Sequence, residues 1–234
     1  MTRTLAEVAA EAATCTRCRL AEGRTQVVFG VGNPDADLLF VGEAPGFHED
    51  RQGEPFVGAA GQLLTRMLGG IGLRREDVYI ANVLRCRPPG NRDPLPDEIE
   101  ACTPWLIETI SIVQPSVIVT LGNFATKFVL NTQRGITSMR GGVYGWHGRK
   151  VVPTFHPAAI LHGGGEKSRQ FLELQDDFAL IRKTLDAARA PVDPVHAAPV
   201  DPVHAAPVDP VHAAPVAVVG AAPAAAEDDQ LELF

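Results

Sequence analysis

The chain is poor in several things that would have placed it at once. Among 234 residues there are four Cys, two Trp, two Tyr and three Met. Long apolar runs are also missing. The longest, Ala213 to Ala226, is too short to span a bilayer and contains proline. The segment Met1 to Thr14 carries Glu7 and Glu11 and lacks the apolar centre of a secretory signal. These shortages predict a cytoplasmic protein with no membrane segment, in reducing surroundings that disfavour structural disulfides. Excess positive charge is lacking too, with a formal net charge of −7. Residues 190–234 contain seven acids and no Lys or Arg, so residues 1–189 are neutral, with 21 charges of each sign. Seventeen of the cations are Arg, the better phosphate fork. A neutral body can still carry a basic face, so the acidic total does not exclude nucleic acid.

What is present is an alternation of strand and helix. Leu38-Leu39-Phe40-Val41 reads as a buried strand ended by Gly42, Val78 to Leu84 as a second and Val117 to Thr120 as a third. Leu64, Met67, Leu68 and Ile71 share one helical face, as do Ile99, Cys102, Leu106, Ile110 and Val113. Thr103-Pro104 interrupts the second face and predicts two helices or a kink. Val143 to Trp146 and Arg149 to Val152 suggest a hairpin turned at His147-Gly148, and Phe171, Leu174, Phe178, Ile181 and Leu185 a last helix. This order predicts a three-layer α/β/α sandwich with a mostly parallel central sheet over residues 1–189. Thereafter Ala-Pro-Val-Asp-Pro-Val-His-Ala repeats at 190–197, 198–205 and 206–213. Two prolines per octad exclude a helix or central strand, which leaves a semi-extended linker over 190–226. Its three histidines are read as a by-product of duplication rather than a metal tract. An acidic tail, 227–234, follows.

The four cysteines are Cys15, Cys18, Cys86 and Cys102. A C-x2-C corner plus two later thiols matches the ligand count of an all-cysteine zinc site or a [4Fe–4S] cluster, and spacing does not choose between them. The alternative is four unrelated buried thiols. At the strand ends stand Gly42-Glu-Ala-Pro-Gly46, Asn82 and His156, on the side where open α/β sheets bind ligands. A capping Asn or an ordinary buried His would explain each alone; three at strand ends on one side of the sheet suggest a site.

Over nearly all of residues 1–189 the chain resembles the family 4 uracil-DNA glycosylases. The matching stretches include Cys15-x-x-Cys18-Arg-Leu, Val41-Gly-Glu-Ala-Pro-Gly46-x-x-Glu-Asp50, Pro55-Phe-Val-Gly58, Gly61-Gln-Leu-Leu64, Tyr79-Ile-x-Asn82, Cys86-Arg-Pro-Pro89 and Phe155-His-Pro157. The resemblance implies a monofunctional base-excision repair enzyme that hydrolyses the N-glycosidic bond of uracil in single- or double-stranded DNA. It implies a structural [4Fe–4S] cluster on Cys15, Cys18, Cys86 and Cys102. Phe56 would stack on the flipped base, Asn82 would pair with its edge, and His156 would donate to uracil O2. Backbone from Gly42 to Ala44 and near Phe47 and His48 would complete the cradle. Ala44 stands where another family has a water-positioning Asp; Glu43, Glu49 or Asp50 then orients the water, with Glu43 favoured, or the electrostatics suffice without a dedicated base. A relative outside family 4 that traps its product has a basic, His-containing insertion after the Asn. Here Val83-Leu84-Arg85 runs straight into Cys86, so ordinary turnover is expected.

For DNA, Ile160 and Leu161 are expected to form an apolar wedge. Arg85, Arg87, Arg92, Arg140, Arg149 and Lys150 are candidate phosphate contacts. The last residues resemble the Gln-Leu-x-Leu-Phe peptide that docks bacterial repair proteins on the sliding clamp. Gln230 would be the latch and Leu231, Leu233 and Phe234 the anchors. The rival expectations are a same-fold glycosylase for other deaminated or mismatched bases, and a non-catalytic iron–sulfur DNA-binding module. A monomer is expected.

Overall fold

The computed structural model describes residues 3–190; the octad repeat from 191 on and the clamp-like peptide lie outside them. Six strands form one sheet: β1 (Val31–Gly32), β2 (Leu38–Gly42), β3 (Tyr79–Asn82), β4 (Val117–Leu121), β5 (Tyr144–Trp146) and β6 (Arg149–Thr154). Their spatial order is β1-β3-β2-β4-β6-β5. The four inner strands are mutually parallel, and each edge pair is antiparallel.

The helices are α1 (Leu5–Ala13), α2 (Leu20–Gly23), α3 (Phe47–Gln52), α4 (Ala59–Gly70), α5 (Pro96–Val113), α6 (Gly122–Leu130), α7 (Ile136–Met139), α8 (Pro157–His162) and α9 (Arg169–Arg189). They sort onto the two sheet faces by the strand period of two. Leu38, Phe40, Ile80 and Val119 point to one face, against Leu64 and Leu68 of α4, Ile160 of α8 and Phe178 and Ile181 of α9. Leu39, Val41, Ala81 and Ile118 point to the other, against Leu106 and Ile110 of α5 and Ala125 of α6. This is the expected three-layer sandwich. A third cluster, built on Val8, Ala12, Leu20, Phe29, Leu84 and Trp105, packs α1 and α2 beside the sheet near the cysteines.

Three local outcomes refine the sequence reading. The 143–152 hairpin is present, and its turn residues His147 (φ 45°) and Gly148 (φ 78°) both take the left-handed conformation a tight two-residue hairpin requires. The short strand β1 was not foreseen, because two residues carry no periodicity. Pro104, expected to divide two helices or to kink one, lies inside a single helix of 18 residues. Its missing N–H strands the carbonyl of Glu100, an exposed residue whose carbonyl water can serve. One turn earlier the hydroxyl of Thr103 donates to the carbonyl of Ile99 at 2.7 Å.

The strand order fixes where a ligand can sit. After β2 the chain crosses to the α4 face; after β4 it enters α6 on the opposite face. The two loops diverge and leave a crevice at the carboxyl ends of β2 and β4, the usual binding place of an open α/β sheet.

Candidate active site

That crevice is a pocket of about 340 Å³ lined by Glu43, Ala44, Pro45, Gly46, Glu49, Phe56, Ala60, Asn82, Pro88, Asn91, Arg92, His156 and Ala158. Gly42 ends β2 level with Asn82 at the end of β3. Beyond the ladder the two loops remain joined, because the N–H groups of Val83 and Leu84 donate to the carbonyls of Gly42 and Glu43, each at 2.9 Å. A Cβ at position 42 would lie 2.3 Å from Asn82 Oδ1 and 2.8 Å from Phe56 Cζ. Only glycine lets those two side chains meet over the strand end.

Phe56 is held from three directions. Its backbone is left-handed (φ 55°), a conformation that strains a residue with a side chain and needs outside support. Arg75 supplies part of it, donating to the carbonyls of Phe56 (3.1 Å) and Pro55 (2.9 Å). Glu49 supplies more: Oε1 accepts from the N–H groups of Val57 (3.0 Å) and Gly58 (3.2 Å), and Oε2 from Gly46 (3.2 Å). Gly61 admits the carbonyl of Phe56, which a Cβ there would meet at 1.7 Å. The ring is thereby set 5.5 Å from that of His156, tilted by 30°.

His156 caps the N-terminus of α8, its Nδ1 accepting from the N–H of Ala158 at 3.2 Å. That bond assigns the remaining proton to Nε2, so the ring presents a donor. Burial lowers its pKa to about 4, against a small opposing effect of Glu49. The imidazole is therefore neutral near pH 7. Asn82 is buried, and its Oδ1 has no hydrogen-bond partner. A buried orphan acceptor is costly, and Asn82 stands in the pocket wall.

The carboxylates are now distinguishable. Glu49 is occupied by three backbone amides, and Asp50, buried, accepts from the N–H of Thr25 at 2.9 Å. Glu43 is the pocket carboxylate with no such partner. Burial, and secondarily repulsion from Asp93, raises its pKa above the ordinary carboxylate range.

Other expected residues fall elsewhere. Phe47 and His48 are exposed and do not line the pocket. Ile160 is fully buried against the sheet and cannot be a wedge; Leu161 is half-buried on the same core. Arg85 is fully buried, so it is no phosphate contact. Arg140 forks onto buried Asp177 at 2.8 and 3.0 Å and donates to the carbonyl of Glu173. Asp177 in turn accepts from Thr154 at the end of β6. Arg140 thus braces the strand that delivers His156, a role masked in sequence because its partner lies 37 residues away. Arg92 reaches the pocket rim, but its fork is bidentate to buried Glu98 at 2.6 and 2.9 Å. Arg149 and Lys150 start β6, at the opposite end of the sheet from the pocket.

The four cysteines line one second pocket, with Arg17, Arg24, Arg85 and Trp105 among its walls. None is in a disulfide. Among the described residues, no three His, Cys, Asp or Glu side chains are drawn together as a metal cage. The surroundings nonetheless fit an anionic centre. The N–H of Arg85 donates to Cys102 Sγ at 3.2 Å, and Arg24 donates to Cys86 Sγ at 3.5 Å. The Arg85 guanidinium reaches Thr109 and the carbonyl of Trp105 through Nη2 alone, while Nε and Nη1 have no partner. A fully buried cation without a carboxylate is unfavourable unless negative charge lies beside it.

A mostly parallel sheet carries at its switch point a pocket walled by an aromatic ring, an amide and a neutral imidazole, groups suited to stack on and hydrogen-bond a planar base. The family model described as the uracil DNA glycosylase superfamily matches residues 29–179. The type-4 uracil-DNA glycosylase of Archaeoglobus fulgidus is 50% identical over 166 residues, covering 68% of this chain and 83% of that protein. The Thermotoga maritima type-4 enzyme is 49% identical over 160 residues, with the same coverage. A type-5 enzyme from Thermus thermophilus is less similar, at 36% over 166 residues, 62% of this chain and 75% of its own length. The chain belongs to the type-4 uracil-DNA glycosylase family.

Proposed function

We propose that this chain removes uracil from DNA by hydrolysing the N-glycosidic bond, releasing the free base and leaving an abasic site for repair. The observation that carries this is the pocket whose walls bring Phe56, Asn82 and His156 together, with the buried Oδ1 of Asn82 unpaired among the described residues. Uracil offers N3–H to that oxygen and O4 to the amide N–H₂ beside it, whereas cytosine offers the reverse pattern. Uracil is out of reach inside a duplex, so the nucleotide is flipped into the pocket, where Phe56 stacks on the base.

As the bond breaks, negative charge grows on the uracil and positive charge on the sugar. Nε2–H of neutral His156 donates to O2, a fixed donor placed where the anion develops. The proton stays on the imidazole. Glu43, the pocket carboxylate without a backbone partner among the described residues, faces the cationic sugar and orients the water that adds to C1′; it takes the proton the water loses, and the departing uracil anion regains one on release. Ala44 leaves room there.

Cys15, Cys18, Cys86 and Cys102 hold a [4Fe–4S] cluster, and Arg85 and Arg24 offset its negative charge. When bound, the cluster acts as a cross-link that ties the segment before α2 to the β3–α5 loop and to α5 itself. Residues 190–226 serve as a spacer, and Gln230, Leu231, Leu233 and Phe234 in the tail dock on a sliding clamp, which raises the local concentration of enzyme near DNA.

The test of function is direct. The purified chain is incubated with oligonucleotides carrying one uracil, hypoxanthine or mismatched thymine, and free base is measured. Uracil release together with an alkali-labile site is expected. No base release, or release of hypoxanthine alone, overturns the reading. Asn82→Asp should weaken uracil recognition, since it sets two acceptors against an edge that needs one donor. A clamp titration comparing the full chain with one ending at Asp229 tests the tail; equal binding overturns that role.

A further inference from the structure

Phe47 is 47% exposed, although it opens α3 only one residue after the pocket-lining Gly46. Nothing in the core uses it. Two guanidinium groups lie against its ring, Arg87 at 5.2 Å and Arg51 at 5.5 Å from the centroid, and His48 meets it edge-on. Neither arginine has a carboxylate within ion-pair reach among the described residues. Most other surface arginines here are paired, so two unpaired ones on one exposed aromatic form a distinct patch. Arg87 also donates from Nε to Asn91 Oδ1 at 2.7 Å, and Asn91 lines the base pocket. With Arg19 and Arg92 it further lines a shallow groove that shares Pro88 and Arg92 with that pocket.

We propose that Phe47, with Arg51 and Arg87, is a stacking platform for an unpaired nucleobase next to the target nucleotide in a single-stranded segment of DNA. A base takes the place of a guanidinium now standing over the ring, and the displaced arginine and its neighbour take the phosphates on either side. The patch is continuous with the pocket through Gly46, Asn91 and Pro88, so one strand can occupy both. In a duplex the neighbouring base is already stacked and paired, so the platform favours single strands. The proposal rests on the uracil-excision reading and adds a determinant of strand preference outside the pocket.

The test measures binding of the full chain to labelled single-stranded and duplex oligonucleotides carrying a stable abasic analogue at the target position. Phe47→Ala and Phe47→Leu are expected to lose single-strand affinity by roughly 5- to 100-fold, with a smaller loss on duplex. Phe47→Trp should retain it. Single-turnover uracil release at saturating DNA should change less than about twofold. Removing neighbouring bases one at a time should reveal one position whose loss weakens the wild type but not Phe47→Ala, a coupling that mere packing would not produce. Wild-type affinity in Phe47→Leu, or equal sensitivity of both proteins to every missing neighbour, overturns the platform. A wild type that binds as described yet releases no uracil instead overturns the excision reading.

Discussion

The base pocket and the cysteine pocket are separated by only three residues along the chain, Asn82 and Cys86, yet they are built on opposite principles. The base pocket stands on strand ends. Register between β2 and β3 aligns Gly42 with Asn82, and the polar atom left without a partner is an acceptor, Asn82 Oδ1. The cysteine pocket stands on loops, α1 and α5, off the end of the sheet. Its orphans are the donors Nε and Nη1 of a buried cation, Arg85. In the proposed reading one pocket receives a transient neutral ligand that brings an N–H, and the other holds a centre of permanent negative charge. A reaction centre must exist before its substrate arrives, whereas a structural centre can be completed by what it holds.

The largest expected effect breaks the second region alone. Cys102→Ser should cost more than about 4 kcal/mol of stability, as loss of a metal centre characteristically does. Iron content and the melting transition of the purified chain check this, and bound iron near four per chain with an unchanged melt refutes it. The complementary change, His156→Ala, should slow single-turnover bond cleavage by about 2–4 kcal/mol with iron content unaltered. An unchanged rate would remove His156 from the chemistry.

The pH dependence of stability sharpens the contrast further. His156 titrates at about 4 when folded, against 6.5 for the ordinary group. The unfolded chain therefore takes up a proton between those values while the folded one does not. This group's contribution is fully present above pH 6.5 and falls by up to about 3 kcal/mol as pH drops to 4. Denaturant titrations of wild type and His156→Gln across that window should diverge by this amount; parallel curves exclude it. The acid limb of activity should lie above the ordinary carboxylate range, because Glu43 must be ionised and its pKa is raised.

The smallest effect carries the most information through its sign. Arg85→Met should destabilise the iron-loaded protein by about 1–3 kcal/mol. It should stabilise the iron-free protein, where the charge is buried against nothing. Destabilisation of equal size in both forms would mean that Arg85 answers only to Thr109, Trp105 and Phe29.

Much of this was legible in the residues themselves. Strands of consecutive apolar residues announced β2 and β4, and His147-Gly148 announced a hairpin whose turn has both left-handed residues. Loop motifs placed Glu43, Asn82 and His156 at strand ends on one side of the sheet, because parallel strands deliver their next residues to the same side. Side-chain commitments were the part that sequence missed. Arg85, Arg92 and Arg140 all looked like phosphate ligands, yet Arg85 is in the core and the other two fork onto buried carboxylates. Ile160 looked like a wedge and is a core residue. Phe47 looked like part of the cradle and is outside it.

The sequence by itself thus determined the layer order, the end of the sheet where chemistry occurs and the residue types gathered there. Hydrophobic period and turn chemistry are local properties, written within a few residues of where they act. Only the tertiary structure decided which pocket carboxylate has backbone amide partners and which arginines have carboxylate partners among the described residues. Glu43, Arg51 and Arg87 differ from Glu49, Arg92 and Arg140 in nothing but their partners. The protein groups that pair Glu49 are up to nine residues away, and the one that pairs Arg140 is 37 residues away. A charge acts on its surroundings through distance in space, and the fold alone sets that distance.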